Sequence, residues 1–314
     1  MGKLIQGKWF DIGYDTKSNS GRFVREDAGF RNTISNDPDA KFKPESGRYH
    51  LYVSYACPWA HRTLIFLNLK GLDKHIDVTV VSPDMLSNGW TMTKPEPLYG
   101  HNFLHQVYTH ARPSYTGRVT VPVLWDKLTH TIVSNESSEI IRMFNSEFNE
   151  LTGNTTDYYP LELQTEIDDW NSFIYPNINN GVYKCGIATS QEAYEEAFDN
   201  LFDALDKIDE HLGSNRYLVG HTITEADWRL FVTLIRFDSV YVGHFKCNKK
   251  RIADYMNINN YMKELYQQKG IAQTTNFYQI KRHYYFSHTM INPSQIIPAG
   301  PELDLLSTHG RTFL

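Results

Sequence analysis

The chain has 314 residues, 41% hydrophobic and 14% aromatic, enough for two domains or one large one with real cores. A net charge of −5 excludes the clustered basic face of a nucleic-acid binder, and the one dense basic run, Lys246 to Arg251, reads as a solvated loop. Three cysteines, Cys57, Cys185 and Cys247, with no Cys-x-x-Cys pair, exclude a disulfide framework, a zinc ribbon and a dithiol redox site.

No apolar run approaches membrane-spanning length, and the start, Met1-Gly2-Lys3-Leu4-Ile5-Gln6, lacks the apolar core of a signal peptide. The expectation is a cytoplasmic protein with no metal, no nucleic-acid partner and no membrane partner. A reducing compartment lets a lone reactive thiol persist.

Residues 1–48 are polar, rich in Gly, Asp, Asn and Ser, with Trp9, Phe10, Tyr14, Phe23 and Phe30 scattered among them. They predict an extended arm that has no core of its own and lies against the body. Alternating apolar residues predict a strand over Tyr49–Val53, then a helix over Pro58–Lys70 that Gly71 ends. Ile76–Val81 reads as a strand. Ser82–Gly100 is a long loop carrying Trp90, and His101–His110 is weakly helical. Val121–Trp125 and Thr131–Val133 flank a turn and read as a hairpin. Asn135-Glu136-Ser137-Ser138-Glu139 opens a helix through Phe148. This order predicts an α/β thioredoxin-like domain over residues 49–150.

After the polar linker Leu151–Asp157 the pattern is helical, an all-α domain over residues 158–290. Leu161–Tyr175 is predicted to break at Pro176, and Gly181–Tyr183 to lie in a polar loop. Gln191–Leu212 carries Ala197, Leu201, Leu205 and Ile208 at helical spacing. Thr224-Glu225-Ala226-Asp227 has the form of a capping box, with Leu230, Phe231, Leu234 and Ile235 continuing its apolar face. Ile258–Gln268 is a further helix. From Ile271 the pattern weakens, and residues 291–314 read as a tail.

Cys57 stands where the first strand gives way to the first helix, directly before Pro58. Proline suits the first helical turn because its missing N–H is not needed there. The sulfur then lies over unpaired backbone N–H groups at the positive end of a helix dipole. Such seats lower a cysteine pKa from ~8.5 to ~3.5–7.5. Ala60 stands where a dithiol enzyme places its second cysteine, so a mixed disulfide on Cys57 must wait for an external thiol. His61, one turn further on, is a weaker candidate for activating the thiol.

A thioredoxin-like half led by Cys57-Pro58-Trp59-Ala60, followed by an all-helical half, resembles the omega-type glutathione transferases. Further stretches narrow the resemblance: Asn88-Gly89-Trp90, Gly117 through Asp126, Ser134 through Ile141, Asn179 through Gly186, and Ile280 through Tyr285. Together they are similar to the glutathionyl-hydroquinone reductases, or xi-class transferases, over nearly the whole chain.

The resemblance implies glutathione as co-substrate, glutathionylated quinols as partners, and a homodimer. It implies a cis Val121–Pro122 bond and a glutathione site made of Trp90, Arg118, Val119, Thr120, Val121, Glu136 and Ser137. There Val121 would pair strand-like with the cysteinyl unit. The helix start with the Ser137 hydroxyl suits a carboxylate, Glu136 the γ-glutamyl ammonium, and Arg118 the glycyl carboxylate. By the same resemblance Cys57 is the nucleophile, Tyr183 the proton donor to the ring, and Tyr241 and Tyr284 hydrogen-bond the thiolate.

The function so implied is glutathione-dependent cleavage of S-glutathionyl-hydroquinones through a Cys57–glutathione mixed disulfide. A general monothiol thioltransferase or dehydroascorbate reductase would use the same cysteine without Tyr183. A conjugating transferase would want a Tyr or Ser in place of Cys57. A non-catalytic binding protein on a transferase fold would have no use for a thiol at a helix mouth.

Overall fold

A computed structural model describes residues 2–314. In chain order its main elements are β1 (Lys3–Ile5), β2 (Lys8–Phe10), β3 (Tyr49–Val53), α1 (Pro58–Leu69), β4 (Asp77–Val80), α2 (Leu104–Ala111), β5 (Gly117–Arg118), β6 (Val123–Asp126), β7 (Thr131–Ser134), α3 (Ser137–Ser146), α4 (Asn149–Thr152), α5 (Gln164–Ile174), α6 (Gly181–Ile187), α7 (Gln191–Leu212), α8 (Glu225–Arg236), α9 (Met256–Tyr266) and α10 (Phe277–Ser287). They fall into two units, each drawn from three stretches of chain.

The first unit takes residues 2–13, Arg25–Thr156 and Thr274–Ser287. Its main sheet has the order β4-β3-β6-β7. β3 runs parallel to β4, as a strand–helix–strand crossover through α1 requires, and antiparallel to β6. Every residue of β3 is buried, His50 included, so both faces of this strand are covered. Beneath its end, Arg48 grips Asp126 with two bonds of 2.8 and 2.9 Å. Burial pushes the Asp126 carboxyl up, but the Arg48 and Thr129 hydrogen bonds outweigh it and hold the group below the ordinary carboxylate range.

The first part of the arm is not simply extended. β1 and β2 form a hairpin that pairs with β5 in a second, three-stranded antiparallel sheet. The Trp9 ring packs over Gly89, whose φ of +66° and missing Cβ the contact needs, and the Trp9 indole N–H donates to Ser87 O at 2.9 Å. The Asn88-Gly89-Trp90 turn is thereby seated by the arm.

The stretch after Ile271, where the helical pattern weakens, contains α10. Asn276 caps it, its Oδ1 accepting from Gln279 N at 3.0 Å. Arg282 holds Asp84 with bonds of 2.6 and 2.8 Å, and the Ser287 hydroxyl accepts from Met85 N at 2.9 Å. The helix thus fastens the long loop that carries Trp90.

The second unit takes Tyr14–Val24, Asp157–Gln273 and His288–Leu314. At its centre α8 is buried on every side. A buried carboxylate at the start of such a helix needs hydrogen-bond partners. Asp227 accepts from Leu218 N, Thr224 N, Thr224 Oγ1 and Tyr261 Oη at 2.7–3.0 Å, which closes the expected capping box.

Pro176 does not break the chain from α5 as expected. It lies in a π-helical turn, Tyr175–Asn179, that carries the chain on into α6. The wider turn leaves room for the proline ring, and Asn179 is pinned to α8 by bonds of 2.9 Å to Arg229 O and Thr233 Oγ1.

Candidate active site

Cys57 is the N-cap of α1. Its backbone is extended, Pro58 takes the first helical position, and His61 N–H donates to Cys57 O at 2.9 Å. No side chain caps this helix and no acidic residue stands in its first turn, so its positive end is not neutralised from within. The half-buried thiol points at the Val121 carbonyl, 3.5 Å away. The Val121–Pro122 bond is cis, as the resemblance implied. The His61 ring turns its Nε2 to Thr274 Oγ1 at 2.7 Å.

Around Val121 the chain is held by a small polar knot. Tyr108 donates to Thr120 O at 2.8 Å and accepts from Thr120 N at 3.2 Å, while Asn135 Nδ2 reaches Tyr108 Oη at 3.1 Å. Val119 and Val121 are buried. Burial pushes the Tyr108 phenol up, so it stays a neutral donor at every ordinary pH.

α3 begins beside this knot. Glu136 is its N-cap, accepting from Ser138 N at 2.9 Å and Ser138 Oγ at 2.8 Å. Ser137, the first helical residue, is buried, and its Oγ accepts from Arg62 Nη1 at 3.4 Å.

Arg62 is a residue that sequence reasoning missed. It is buried on α1 and its guanidinium lies 4.6 Å over the Trp59 ring, with Arg25 at 4.9 Å from the same ring. The signal available was the spacing: Trp59 and Arg62 are three apart on one helix and therefore neighbours.

Trp90 is buried and stacks on His283 of α10, centroids 4.7 Å apart and planes 17° from parallel. Tyr284, the next residue, is buried with its ring edge-on to His283. Arg118 is differently engaged than the resemblance implied. Its guanidinium faces the arm, bonding Ile12 O at 2.5 Å, Gly13 O at 2.7 Å and Glu26 Oε1 at 3.2 Å.

In the second unit Tyr183 lies on α6, not in the polar loop expected. The polar Asn179-Asn180-Gly181 is the junction between the π-helical turn and α6. Tyr183 is half-buried, 5.4 Å from the Phe245 ring and 6.2 Å from Tyr241. Tyr241 ends a second π-helical turn, Phe237–Tyr241, and stacks on Phe245 with planes 16° apart. Phe23 lies on the other side of the cluster, 6.3 Å from Tyr183. Cys185 and Cys247 are buried, and burial raises the Cys247 thiol, which keeps it inert.

The first unit holds a part-exposed sulfur at the N-terminus of α1, a backbone edge at Val121 and the N-terminus of α3. The second contributes a cluster of phenols and aromatic walls.

Two family models match the chain: the glutathione S-transferase N-terminal domain over residues 56–147 and the C-terminal domain over residues 191–264. Glutathionyl-hydroquinone reductase YqjG of Escherichia coli is 55% identical, covering 99% of this chain and 98% of its own. Glutathionyl-hydroquinone reductase PcpF of Sphingobium chlorophenolicum is 52% identical, covering 96% of each. Among solved structures, the glutathione-bound structure of the Escherichia coli protein superposes with a TM-score of 0.89 at 52% identity, over 99% of both chains.

Proposed function

Because this chain belongs to the glutathione S-transferase family, in its glutathionyl-hydroquinone reductase branch, we propose that it cleaves S-glutathionyl-hydroquinones with glutathione as co-substrate. The observation that carries the reading is the part-exposed Cys57 sulfur at the uncapped mouth of α1, with Ala60, not a second cysteine, one turn beyond.

The cycle has two halves. The Cys57 thiolate attacks the glutathionyl sulfur, forming the mixed disulfide. The carbon–sulfur bond breaks, its electron pair goes to the ring carbon, and Tyr183 gives that carbon a proton. The hydroquinone leaves. The sulfurs are oxidised to the disulfide as the ring carbon is reduced by two electrons. The thiolate of a second glutathione then attacks the glutathione sulfur of the mixed disulfide, releasing oxidised glutathione and the Cys57 thiolate. The proton lost by that glutathione restores the Tyr183 phenol.

Ser137, with its hydroxyl and its N–H at the mouth of α3, holds the γ-glutamyl carboxylate, and Glu136 the ammonium. Val119, Thr120 and Val121 supply the backbone edge for the cysteinyl unit, and Trp90 a flat wall. Tyr241 and Tyr284 donate to the thiolate and favour its charged form. Arg118 is the partner of the glycyl carboxylate only if its grip on the arm is exchanged for the ligand.

The test is a single turnover on glutathionyl-menadiol read by intact mass. One glutathionyl unit mapped to Cys57 is the expected product of the first half. Cys57→Ser should lose activity entirely, and full activity in that variant would sink the mechanism. Tyr183→Phe should slow release of the quinol by 10²-fold or more, the usual weight of a positioned proton donor. An unchanged rate would remove only that role. The enzyme is further proposed to act in the cytoplasm as a homodimer, so sedimentation should give twice the chain mass; a monomer at working concentration would contradict it.

A further inference from the structure

We propose that Arg62 is a positioning residue for glutathione: it aims the Ser137 hydroxyl at the γ-glutamyl carboxylate. The proposal rests on the reading above that this carboxylate sits at the mouth of α3.

A guanidinium has five N–H donors and no acceptor. Where Arg62 Nη1 meets Ser137 Oγ, the direction of the bond is therefore fixed: the serine oxygen accepts. Its own hydrogen cannot point back at Arg62 and must turn elsewhere. Ser137 is buried, and no protein acceptor lies within reach of that hydrogen among the described residues. A buried donor left over in this way is an incomplete hydrogen-bonding group, and a ligand oxygen completes it. Ser137 is also the first residue of α3, at the positive end of that helix.

Arg62 suits this task where lysine would not. Its guanidinium lies over the Trp59 ring, a contact that steadies the fork and itself uses no N–H. Trp59 follows Cys57 by two residues, and Arg62 lies on the same helix, so α1 carries both the reacting sulfur and the group that orients the distant end of the co-substrate. The buried positive charge adds to the partial charge of the α3 terminus and favours an anion there.

The experiment is a double-variant cycle on the full-length enzyme. Arg62→Lys keeps the charge and loses the fork. It should raise KM for glutathione about tenfold, the size of a hydrogen bond to a charged group, with kcat nearly kept. Ser137→Ala should raise it by a similar factor. The double variant should be no worse than Ser137→Ala alone, because Arg62 acts through Ser137. Alkylation of Cys57 by iodoacetamide, which uses no glutamyl contact, should keep its rate in all three.

Additive effects in the double variant would overturn the role of Arg62 while leaving the glutathione site standing. An unchanged KM in Ser137→Ala would overturn the site itself, and the proposal with it. Should Arg62→Lys not fold, Trp59→Leu takes its place, removing the ring under the guanidinium. A smaller rise in KM, again absent on the Ser137→Ala background, is expected. A rise of equal size on both backgrounds would overturn the proposal.

Discussion

At the scale of single residues, the chemistry here depends on which polar groups lose water and what replaces it. His50 shows the effect away from Cys57. It is buried on β3, with Nε2 bonded to Thr79 Oγ1 at 2.7 Å and Nδ1 without a partner. Burial lowers its pKa from the ordinary 6.5 to about 4. Between these values the unfolded chain binds a proton that the folded one refuses. Stability is therefore complete above about pH 6.5 and falls as pH drops toward about 4, by at most about 3 kcal/mol from this residue. Urea unfolding at pH 7 and 4.5 should show a steep loss in the parent and a smaller one in His50→Gln. Equal losses would remove His50 as the cause. The histidine was visible in the sequence, but its burial was not, because an apolar–polar alternation does not say that both faces of β3 are covered.

At the scale of elements, two π-helical turns do what no period in the sequence announced. One carries the chain past Pro176 into α6, and the other ends at Tyr241. Both precede a residue of the aromatic cluster, and each shifts the side chains that follow by most of a helical step. α6 also runs unusually close to its neighbour: a Cβ on Gly186 would stand 2.2 Å from the Phe245 ring. Gly186→Ala must therefore displace Phe245, which packs on both Tyr183 and Tyr241. A destabilisation of roughly 1–3 kcal/mol is expected from such overpacking. Turnover of the glutathionyl-quinol should fall more than thiol exchange on a small disulfide, which does not need Tyr183. Thermal unfolding and the ratio of the two rates measure this, and a ratio unchanged from the parent would contradict it.

At the scale of the whole molecule, neither unit is a continuous run of chain, and residues 2–48 contribute to both. The hairpin β1–β2 completes the small sheet of the first unit. Arg22 and Phe23 belong to the second, where Arg22 grips Glu196 at 2.7 Å and Glu192 at 3.2 Å, and Phe23 is buried. Removing residues 1–24 takes a strand pair from one unit and a buried aromatic from the other. A fall in Tm of roughly 5 °C or more is expected, since about 1 kcal/mol shifts a unit of this size by about 2–4 °C. Calorimetry showing the parent transition intact would mean that the arm is a passenger.

The sequence by itself determined the place of Cys57 at a helix mouth, the order of β3, α1, β4, α2, β6, β7 and α3, and the capping box of α8. These are local: each needs only neighbours within a few residues, and periodicity or a cap reports them. Tertiary structure decided what depends on groups far apart in the chain. It turned Tyr183 from a loop onto a helix, made α10 from a stretch in which the helical pattern weakens, gave the Arg118 guanidinium to the arm, and brought Arg62 to Ser137. Partners such as Arg62 and Ser137, 75 positions apart, leave no mark on local pattern, because only the packing of α1 on α3 brings them within reach of one hydrogen bond.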